Sequence, residues 1–235
     1  MNTVKHSFFC PNINDCFLSE EESNHAVRVL RLKTGDKITV IDGKGMRILA
    51  EITTANKKRL EFKICETTKI DQVRKGIHIA IAPTKNMDRF TFFVEKTIEI
   101  GIDRITPILT KNSERKNLNI EKVRKGAIGA LKQSGNLYLP LIDDLTEIGT
   151  FIDSVENEEQ KFIGHLEEDG EKKALKNEIN VDKKVIILIG PEGDFTPEEI
   201  KLAKQNNFTP VSLGESTLRT ETAGIVACHT VHIIS

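Results

Sequence analysis

Residues 185–199 read VIILI-GPEGDF-TPEE, and each of the three parts has its own structural meaning. The run Val185–Ile189 is continuously apolar and mostly β-branched, which is typical of a strand buried on both faces of a parallel sheet. Gly190 and Gly193 widen the choice of backbone conformations and keep side chains away from a ligand. A Thr-x-x-Glu capping box with proline at the first helical position, residues 196–199, marks a helix start. The stretch therefore predicts a strand, a loop and a helix in succession.

A second stretch of the same construction, FTPVSLGESTLRTETA, occupies residues 208–223. It predicts a short strand that contains Pro210, a residue that favours an edge or strand-start position. Thr220 is predicted to cap the helix that follows, with Glu221 near its positive end. Parallel strands end at one edge of a sheet, where α/β proteins bind ligands. The two loops predict a single ligand site built largely from backbone, although well-capped turns without a ligand are also common connections.

Together the two loops resemble the signature of the SPOUT class of methyltransferases. More narrowly, they resemble the family that methylates N3 of a uridine in 16S ribosomal RNA, the RsmE family. The strings that match are Gly-Pro-Glu-Gly-Asp-Phe from Gly190 and Leu-Gly-x-x-x-Leu-Arg-Thr-Glu-Thr-Ala from Leu213, in the order and spacing of the family. Further matching segments are 85–101, 113–115, 130–134, 25–31, 35–36 and 42–45. The resemblance thus covers nearly the whole chain.

Hydrophobic periodicity divides the chain into two parts. The first part reads as β-rich, with a hairpin around the Asp42–Gly45 turn, a strand at 59–66 and a short helix at 20–31 opened by Ser19. In the second part, strands and helices alternate, which predicts a parallel sheet with helices on both faces. Strands are predicted at 77–82, 104–109 and 162–166, and helices at 87–100, 121–133 and 144–155, followed by a polar insert up to residue 182.

The fold class predicted is therefore α/β, and the resemblance makes it more specific. It implies a PUA-like, RNA-binding β-barrel over residues 1–70, with a polar linker near 67–76. It also implies a SPOUT methyltransferase domain over residues 71–235 that contains a deep trefoil knot. Members of the family work as homodimers through their knotted domains, so a homodimer is expected here.

The resemblance implies S-adenosyl-L-methionine (SAM) as the cofactor that donates the methyl group. We expect it to lie between the two glycine loops and the end of the strand that precedes residue 166. The predicted cofactor contacts are Ile163, His165, Leu166, Ile189, Gly190, Pro191, Glu192, Gly193, Leu213, Gly214, Ser216, Leu218 and Thr220.

Uracil N3 must lose its proton before or during methyl transfer, and negative charge then spreads onto O2 and O4. Arg219 is the best-placed donor to stabilise that charge, by the logic of an oxyanion hole. Its alternative role is a surface salt bridge. Glu221 is a second predicted catalytic residue, although interaction with the helix N-terminus is an equally good reading. No residue can be assigned as the general base from the sequence.

A nucleic-acid partner needs a local basic patch, because the net charge of the chain is −1. Residues 111–132 hold seven lysines and arginines against two glutamates, which favours contact with phosphates. The predicted partner is 16S ribosomal RNA within the small ribosomal subunit, and the predicted substrate contacts are Arg28, Arg31, Ser113, Arg115 and Gln133. Lys122 and Asn136 depart from the residues common in the family, which bears on the RNA contacts more than on the cofactor site.

Other classes of protein lack their sequence signals. The chain has no apolar stretch of membrane-spanning length and no signal-peptide pattern, so a cytoplasmic location is expected. The four cysteines form no Cys-x-x-Cys pair, and no metal site is expected. Residues 77–85 contain no glycine, which argues against a nicotinamide dehydrogenase. Two alternatives stay open: a SPOUT methyltransferase acting on another RNA, and a non-catalytic RNA-binding protein.

Overall fold

The computed structural model describes residues 6–71, 76–155, 160–166 and 172–234. The chain divides into two compact units. The first comprises Met1–Val73 and Ile128–Leu139, and the second comprises Arg74–Ala127 and Pro140–Ser235. Residues 128–139 therefore belong with the N-terminal unit, a return of the chain that the sequence does not signal. Part of the predicted linker, residues 72–75, lies outside the described residues.

The first unit is built on a four-stranded sheet in sequential order. Its strands are β1 (Ser7–Phe9), β2 (Lys37–Ile41), β3 (Met46–Thr54) and β4 (Glu61–Lys69). The β2–β3 and β3–β4 pairs are antiparallel, which confirms the predicted hairpin, and β1 pairs with β2 in parallel. One carboxylate oxygen of Asp42 accepts hydrogen bonds from the backbone N–H groups of Lys44 (2.7 Å) and Met46 (2.9 Å), which fixes the hairpin turn.

The short helix of this unit ends earlier than its sequence suggests. Helix α1 (Glu20–Asn24) is capped by Ser19 as predicted, and a π-helical turn, His25–Val29, follows it. Arg31 then adopts a left-handed conformation with φ of 57°, and the N–H of Leu32 donates to the carbonyl oxygen of Ala26. This is the hydrogen-bond pattern that stops helices, usually at glycine. The predicted helix over 20–31 is therefore confirmed for residues 20–29, with its second half π-helical, and the left-handed Arg31 ends it.

The second unit contains an eight-stranded sheet in which every pairing is parallel. Its strands are β5 (Ile77–Ile81), β6 (Arg104–Leu109), β7 (Leu141–Ile142), β8 (Thr146–Glu147), β9 (Gln160–Gly164), β10 (Lys173–Ala174), β11 (Val185–Ile189) and β12 (Thr209–Ser212). Their order is β10-β12-β9-β11-β5-β6-β7, and β8 pairs with β6. The predicted α/β class with a parallel sheet is confirmed; the trefoil knot stays a prediction.

Six further α-helices follow α1 within the described parts of the chain. They are α2 (Met87–Ile100), α3 (Ile120–Ser134), α4 (Ile148–Ser154), α5 (Leu175–Glu178), α6 (Pro197–Gln205) and α7 (Thr220–Ile234). The prediction of a helix over 144–155 is wrong for its first four residues, because residues 146–147 pair with the end of β6. The predicted polar insert contains β10 and α5. No helix among the described residues could cross a membrane.

The core of the second unit explains why the sheet reads as continuous apolar runs. All residues of β5 and β11 are buried. The predicted apolar face of α2, which includes Phe90 and Phe93, is buried as well. Helix α7 approaches α2 closely at Gly224, where an added Cβ would lie 2.6 Å from a ring carbon of Phe93. The glycine is therefore needed for this helix pair to pack. Burial raises the pKa of the Cys228 thiol on the same helix, which fits an inert structural cysteine.

Candidate active site

Three loops meet at the carboxyl edge of the parallel sheet. Strands β12, β9 and β11 are neighbours, so the segments that follow them converge. Together with the start of α7 they enclose a cavity of about 810 Å³. The predicted residues that line it are His165, Leu166, Ile189, Gly190, Pro191, Glu192, Leu213, Gly214, Ser216, Leu218, Arg219 and Thr220.

Three predicted residues do not line the cavity. Ile163 is fully buried within β9, and Gly193 backs onto Asn112, whose Cβ would lie 3.3 Å from a Cβ added to the glycine. The third, Glu221, is buried on α7. The sequence reasoning in turn missed several lining residues: Gly164, Lys172, Asp194, Val211, Ser212, Glu215, Thr217 and Ala223. Asp194 and Thr217 lie inside the two motifs and could have been found there, whereas Lys172 follows a polar insert that carries no motif.

The loop after β11 is held by side chains from other loops. One carboxylate oxygen of Glu192 accepts a hydrogen bond from the N–H of Lys85 (3.0 Å). The side-chain amide of Asn112 donates to the carbonyl oxygens of Gly193 (3.0 Å) and Asp194 (3.1 Å). The turns after β5 and β6 therefore brace this loop from behind, and its backbone shape does not depend on a ligand.

Helix α6 begins with the capping box that the sequence predicts. The Thr196 hydroxyl accepts from the N–H of Glu199 (3.3 Å), and the Glu199 carboxylate accepts from the N–H of Thr196 (2.9 Å). The second carboxylate oxygen of Glu199 accepts from the N–H of Lys111 (2.8 Å). The cap thus secures the end of the loop and also joins it to the turn after β6.

The loop after β12 is far less supported. Residues 214–217 are all exposed, and the internal hydrogen bonds run between the Ser212 hydroxyl and the backbone of Gly214. Helix α7 begins at Thr220, so this residue is the first helical residue and the prediction that it caps the helix is wrong by one position. The N–H of Ala223 donates instead to the carbonyl oxygen of Arg219 (2.8 Å).

The two predicted catalytic residues have opposite surroundings. Arg219 is exposed at the cavity, and its guanidinium has no hydrogen-bonded or ion-paired partner among the described residues. Glu221 is buried, and its carboxylate lies 3.8 Å from Nε of Arg89 on α2. Its second oxygen has no hydrogen-bond partner in the described part of the chain. The geometry favours Arg219 for contact with a ligand and gives Glu221 a place within the helix packing.

Charged groups of both signs surround the cavity. Lys172 and Arg219 are the cations among its described lining residues, and Glu192, Asp194 and Glu215 are the carboxylates. The ammonium of Lys172 donates to the carbonyl oxygen of His165 (3.0 Å). A mixed set of this kind suits a ligand that carries both charges. The described residues contain no group of three or more metal-ligating side chains.

The predicted substrate residues are divided between the two units. In the second unit, the hydroxyl of Ser113 is buried and bonded to the N–H of Thr110 (3.0 Å). The guanidinium of Arg115 donates to the carbonyl oxygens of Thr84 (3.1 Å) and Lys85. Both side chains shape the loops behind the cavity. The remaining three, which belong to the first unit, are exposed; they are Arg28, Arg31 and Gln133.

A second polar cluster lies at the amino edge of the same sheet. Nε2 of the buried His78 is 2.7 Å from the hydroxyl of Thr106, which in turn donates to Asp143. Burial and the nearby charge of Arg104 lower the pKa of His78 from 6.5 to about 4. Burial alone would raise the pKa of Asp143, but hydrogen bonds from Arg104 and Thr106 hold that pKa below its usual value. These groups satisfy one another, and none of them lines the cavity at the carboxyl edge.

The family models and known proteins that resemble this chain are those of RNA methyltransferases. A family model described as RNA methyltransferase domain matches residues 71–232, and one described as RNA methyltransferase PUA domain matches residues 18–65. A curated relative, ribosomal RNA small subunit methyltransferase E of Rickettsia conorii, is 28% identical over 92% of this chain and 88% of its own length.

Two solved structures extend the likeness to three dimensions. A protein of Porphyromonas gingivalis described as a probable rRNA-methyltransferase is 38% identical, with a TM-score of 0.90 over 97% of this chain and 98% of that one. The ribosomal RNA small subunit methyltransferase E of Neisseria gonorrhoeae, solved bound to S-adenosyl methionine, is 25% identical, with a TM-score of 0.84 over 95% of this chain and 94% of that one. The resemblance carried by the two glycine loops is thereby confirmed, and the chain belongs to the RNA methyltransferase family.

Proposed function

We propose that this protein transfers a methyl group from SAM to N3 of a uridine in the 16S ribosomal RNA of the small ribosomal subunit. The observation that carries the proposal is the convergence of both glycine loops and the end of β9 on one cavity, with Arg219 exposed in its wall. The names of the relatives support ribosomal RNA as the substrate, and the SAM-bound relative supports the cofactor.

The residues around the cavity fit SAM. The volume of about 810 Å³ lies within the usual range for a small-molecule site. Backbone groups of the Gly190–Glu192 and Leu213–Gly214 segments bind adenosine and the amino-acid part without many side chains. Lys172 complements the carboxylate of the methionine part, and Glu192 and Glu215 complement its ammonium and sulfonium. When bound, SAM supplies a methyl group that is already activated, so the protein's task is to bind, orient and exclude water.

Arg219 stabilises the reacting base. Loss of the N3 proton leaves negative charge on uracil O2 and O4, and a guanidinium without an internal partner is free to donate to those oxygens. An arginine already engaged in a salt bridge would first have to lose that partner. The exposed position at the start of α7 therefore gives Arg219 the main catalytic role. Glu221, buried in the first turn of the same helix, is the second catalytic residue.

The first unit binds the RNA. Residues 1–70 form the RNA-binding, PUA-like part, and the methyltransferase part lies within residues 71–235. The exposed Arg28, Arg31 and Gln133 contact the RNA, and residues 128–139 bring Gln133 into the first unit. Arginines grip phosphate oxygens in pairs, which positions the backbone of an RNA strand. Ser113 and Arg115 act on the substrate through the loops that they shape.

A homodimer in the cytoplasm completes the proposal. Helices α2 and α7 pack on each other and expose apolar side chains, with Phe92 48% and Ile233 64% exposed. A second copy of the methyltransferase part covers this surface. The cytoplasmic location follows from the substrate, because small ribosomal subunits are assembled there.

The test uses purified protein, SAM labelled in its methyl group, and small ribosomal subunits that lack the modification. After the reaction, the RNA is digested to nucleosides, and the labelled nucleoside is identified. Label in 3-methyluridine is the expected result, with free 16S RNA and transfer RNA as parallel substrates. Label in another nucleoside would overturn the N3 assignment, label in transfer RNA would favour a different RNA, and absence of both label and SAM binding would favour a non-catalytic RNA-binding protein.

A further inference from the structure

We propose that Asp194 is a positioning residue that holds Leu166 in place as an apolar wall of the cofactor site. The inference rests on the proposed SAM-dependent function, because it concerns how this chain shapes that cavity. It assigns a role to a carboxylate that the reaction itself does not use. It also predicts that two residues far apart in the sequence act as one unit in cofactor binding.

The carboxylate of Asp194 joins two of the three loops. One oxygen accepts a hydrogen bond from the N–H of Leu166 (2.7 Å), which lies 28 residues earlier, after β9. The other accepts from the N–H of Phe195 (2.8 Å) in its own loop. Hydrogen bonds to an ionised carboxylate are stronger than those between neutral groups. A single side chain therefore ties the end of β9 to the loop after β11.

The backbone that carries this carboxylate is itself fixed. Asp194 has φ of 56°, a left-handed conformation that is uncommon for residues other than glycine. Its N–H donates to the carbonyl oxygen of Pro191 (3.0 Å), and its own carbonyl oxygen accepts from Asn112 (3.1 Å). Such conformations persist where the surroundings determine them, and they concentrate at functional sites. The carboxylate is thus presented from a rigid platform.

Leu166 is the residue on which the carboxylate acts. It lines the cavity, yet its side chain is 60% exposed, which is high for a large apolar residue. A purine or ribose face laid against it would remove that apolar surface from water. The direction of the side chain depends on the backbone at Leu166, and the described partner of that backbone N–H is Asp194. Removing the carboxylate leaves Leu166 present but no longer held against the ligand.

The test is a double-mutant cycle read by calorimetric titration with SAM. The proteins are the natural chain, Asp194→Ala, Leu166→Ala and the double variant. Each single substitution is expected to weaken SAM binding about tenfold. The double variant is expected to bind no more than about threefold more weakly than the weaker single variant, because residues that act as one unit are not additive.

Two further variants serve as controls. Asp42 is matched to Asp194, since its carboxylate also accepts two backbone N–H bonds, but it lies in the hairpin turn of the first unit. Asp42→Ala is expected to lower the melting temperature without changing SAM affinity. Asp194→Asn keeps the shape of the side chain with one acceptor oxygen, and its SAM affinity is expected to fall between those of the natural protein and Asp194→Ala. It keeps the test decisive if Asp194→Ala fails to fold.

The outcomes separate this inference from the proposed function. SAM binding by the natural protein together with unchanged affinity in both Asp194 variants would overturn the inference alone. Additive losses in the double variant would also overturn it, because Asp194 would then act independently of Leu166. Absence of SAM binding by the natural protein would overturn the proposed function, and this inference with it.

Discussion

The loops after β11 and β12 look alike in sequence and differ in how they are held. Both follow a strand of the parallel sheet, contain glycine and lead into a helix. The first is bonded by Asn112, capped at Thr196 and tied to Leu166 through Asp194. The second exposes residues 214–217 and has one local link, between Ser212 and Gly214.

The difference indicates that the two loops have different roles. A braced loop presents its backbone groups in a fixed arrangement before a ligand arrives, which lowers the entropic cost of binding. Under the proposed function, a loop with few bonds gains its order from the ligand and carries the Arg219 side chain to the substrate. Changes in the first loop should therefore act on cofactor affinity, and changes at Arg219, at the end of the second loop, on turnover.

The largest expected effect comes from the second loop. Arg219→Ala should lower kcat for methyl transfer about 10²–10³-fold, the loss typical of removing one donor to a developing oxyanion. Arg219→Lys should retain part of the activity because it keeps the charge but loses the paired donors. SAM affinity, measured by titration, should stay within about threefold in both variants. A loss of SAM affinity that accounts for the whole loss of activity would contradict the different roles assigned to the two loops.

The amino edge of the sheet provides a control, because its polar cluster does not line the cavity at the carboxyl edge. The pKa of His78 is lowered to about 4, so the unfolded chain binds a proton at this residue between pH 6.5 and 4 while the folded chain does not. Stability conferred by the neutral imidazole should be present above pH 6.5 and fall by about 2 kcal/mol between pH 7.5 and pH 5.

Urea unfolding at these two pH values checks the expectation for His78. The His78→Gln variant should show a smaller loss of stability on acidification than the natural protein. An equal loss in both proteins would place the acid sensitivity elsewhere, and the carboxyl edge with its exposed charges would then be the next candidate. SAM affinity at pH 7.5 should not differ between the two, since His78 does not line the cavity.

The loop after β11 should tolerate substitution poorly at its first glycine, Gly190. A Cβ at Gly190 would lie 3.1 Å from the ring of Phe195 and 3.3 Å from the carboxylate of Asp194, so in Gly190→Ala these two side chains must move away from the new methyl group. SAM affinity should fall about tenfold, or 1.4 kcal/mol. The matched control is Gly149→Ala on α4, where the nearest atom lies 4.0 Å away and SAM affinity should not change. Equal affinity in the Gly190 variant would show that the loop is not rigid.

The smallest expected effect is on folding. Thr196→Ala removes the hydroxyl that caps α6 and should lower the free energy of unfolding by about 1 kcal/mol, as measured by urea denaturation without SAM. Thr217→Ala, in the exposed second loop, should change it by less than about 0.5 kcal/mol. Similar losses in the two variants would indicate that the second loop is braced as firmly as the first.

Features that rest on neighbouring residues could be predicted from the sequence. The capping box at Thr196, the apolar face of α2 and the hairpin at Asp42–Gly45 are all local, and the structure confirms them. Most of the predicted cofactor residues also line the cavity. They could be predicted because parallel strands end at one edge of the sheet, which brings the loops after those strands together.

Features that depend on residues far apart in the sequence could not be predicted. The Asp194–Leu166 bond spans 28 residues, and β8 exists because it pairs with β6. Arg31 occupies a left-handed position that a sequence pattern assigns to glycine. Arg115 is a basic residue next to the site, which suggested RNA contact, but two carbonyl oxygens of the fold already accept its hydrogen bonds. Only the three-dimensional arrangement distinguishes a bonded arginine from an available one.

Amide hydrogen exchange with and without SAM tests the contrast between the loops most directly. Without SAM, the amides of residues 213–218 should exchange rapidly and those of residues 194–196, which are hydrogen-bonded, slowly. Adding SAM should slow exchange at 213–218 at least about tenfold while changing 194–196 much less. Equal protection of both loops before SAM is added, or no change at 213–218 after it, would contradict the account.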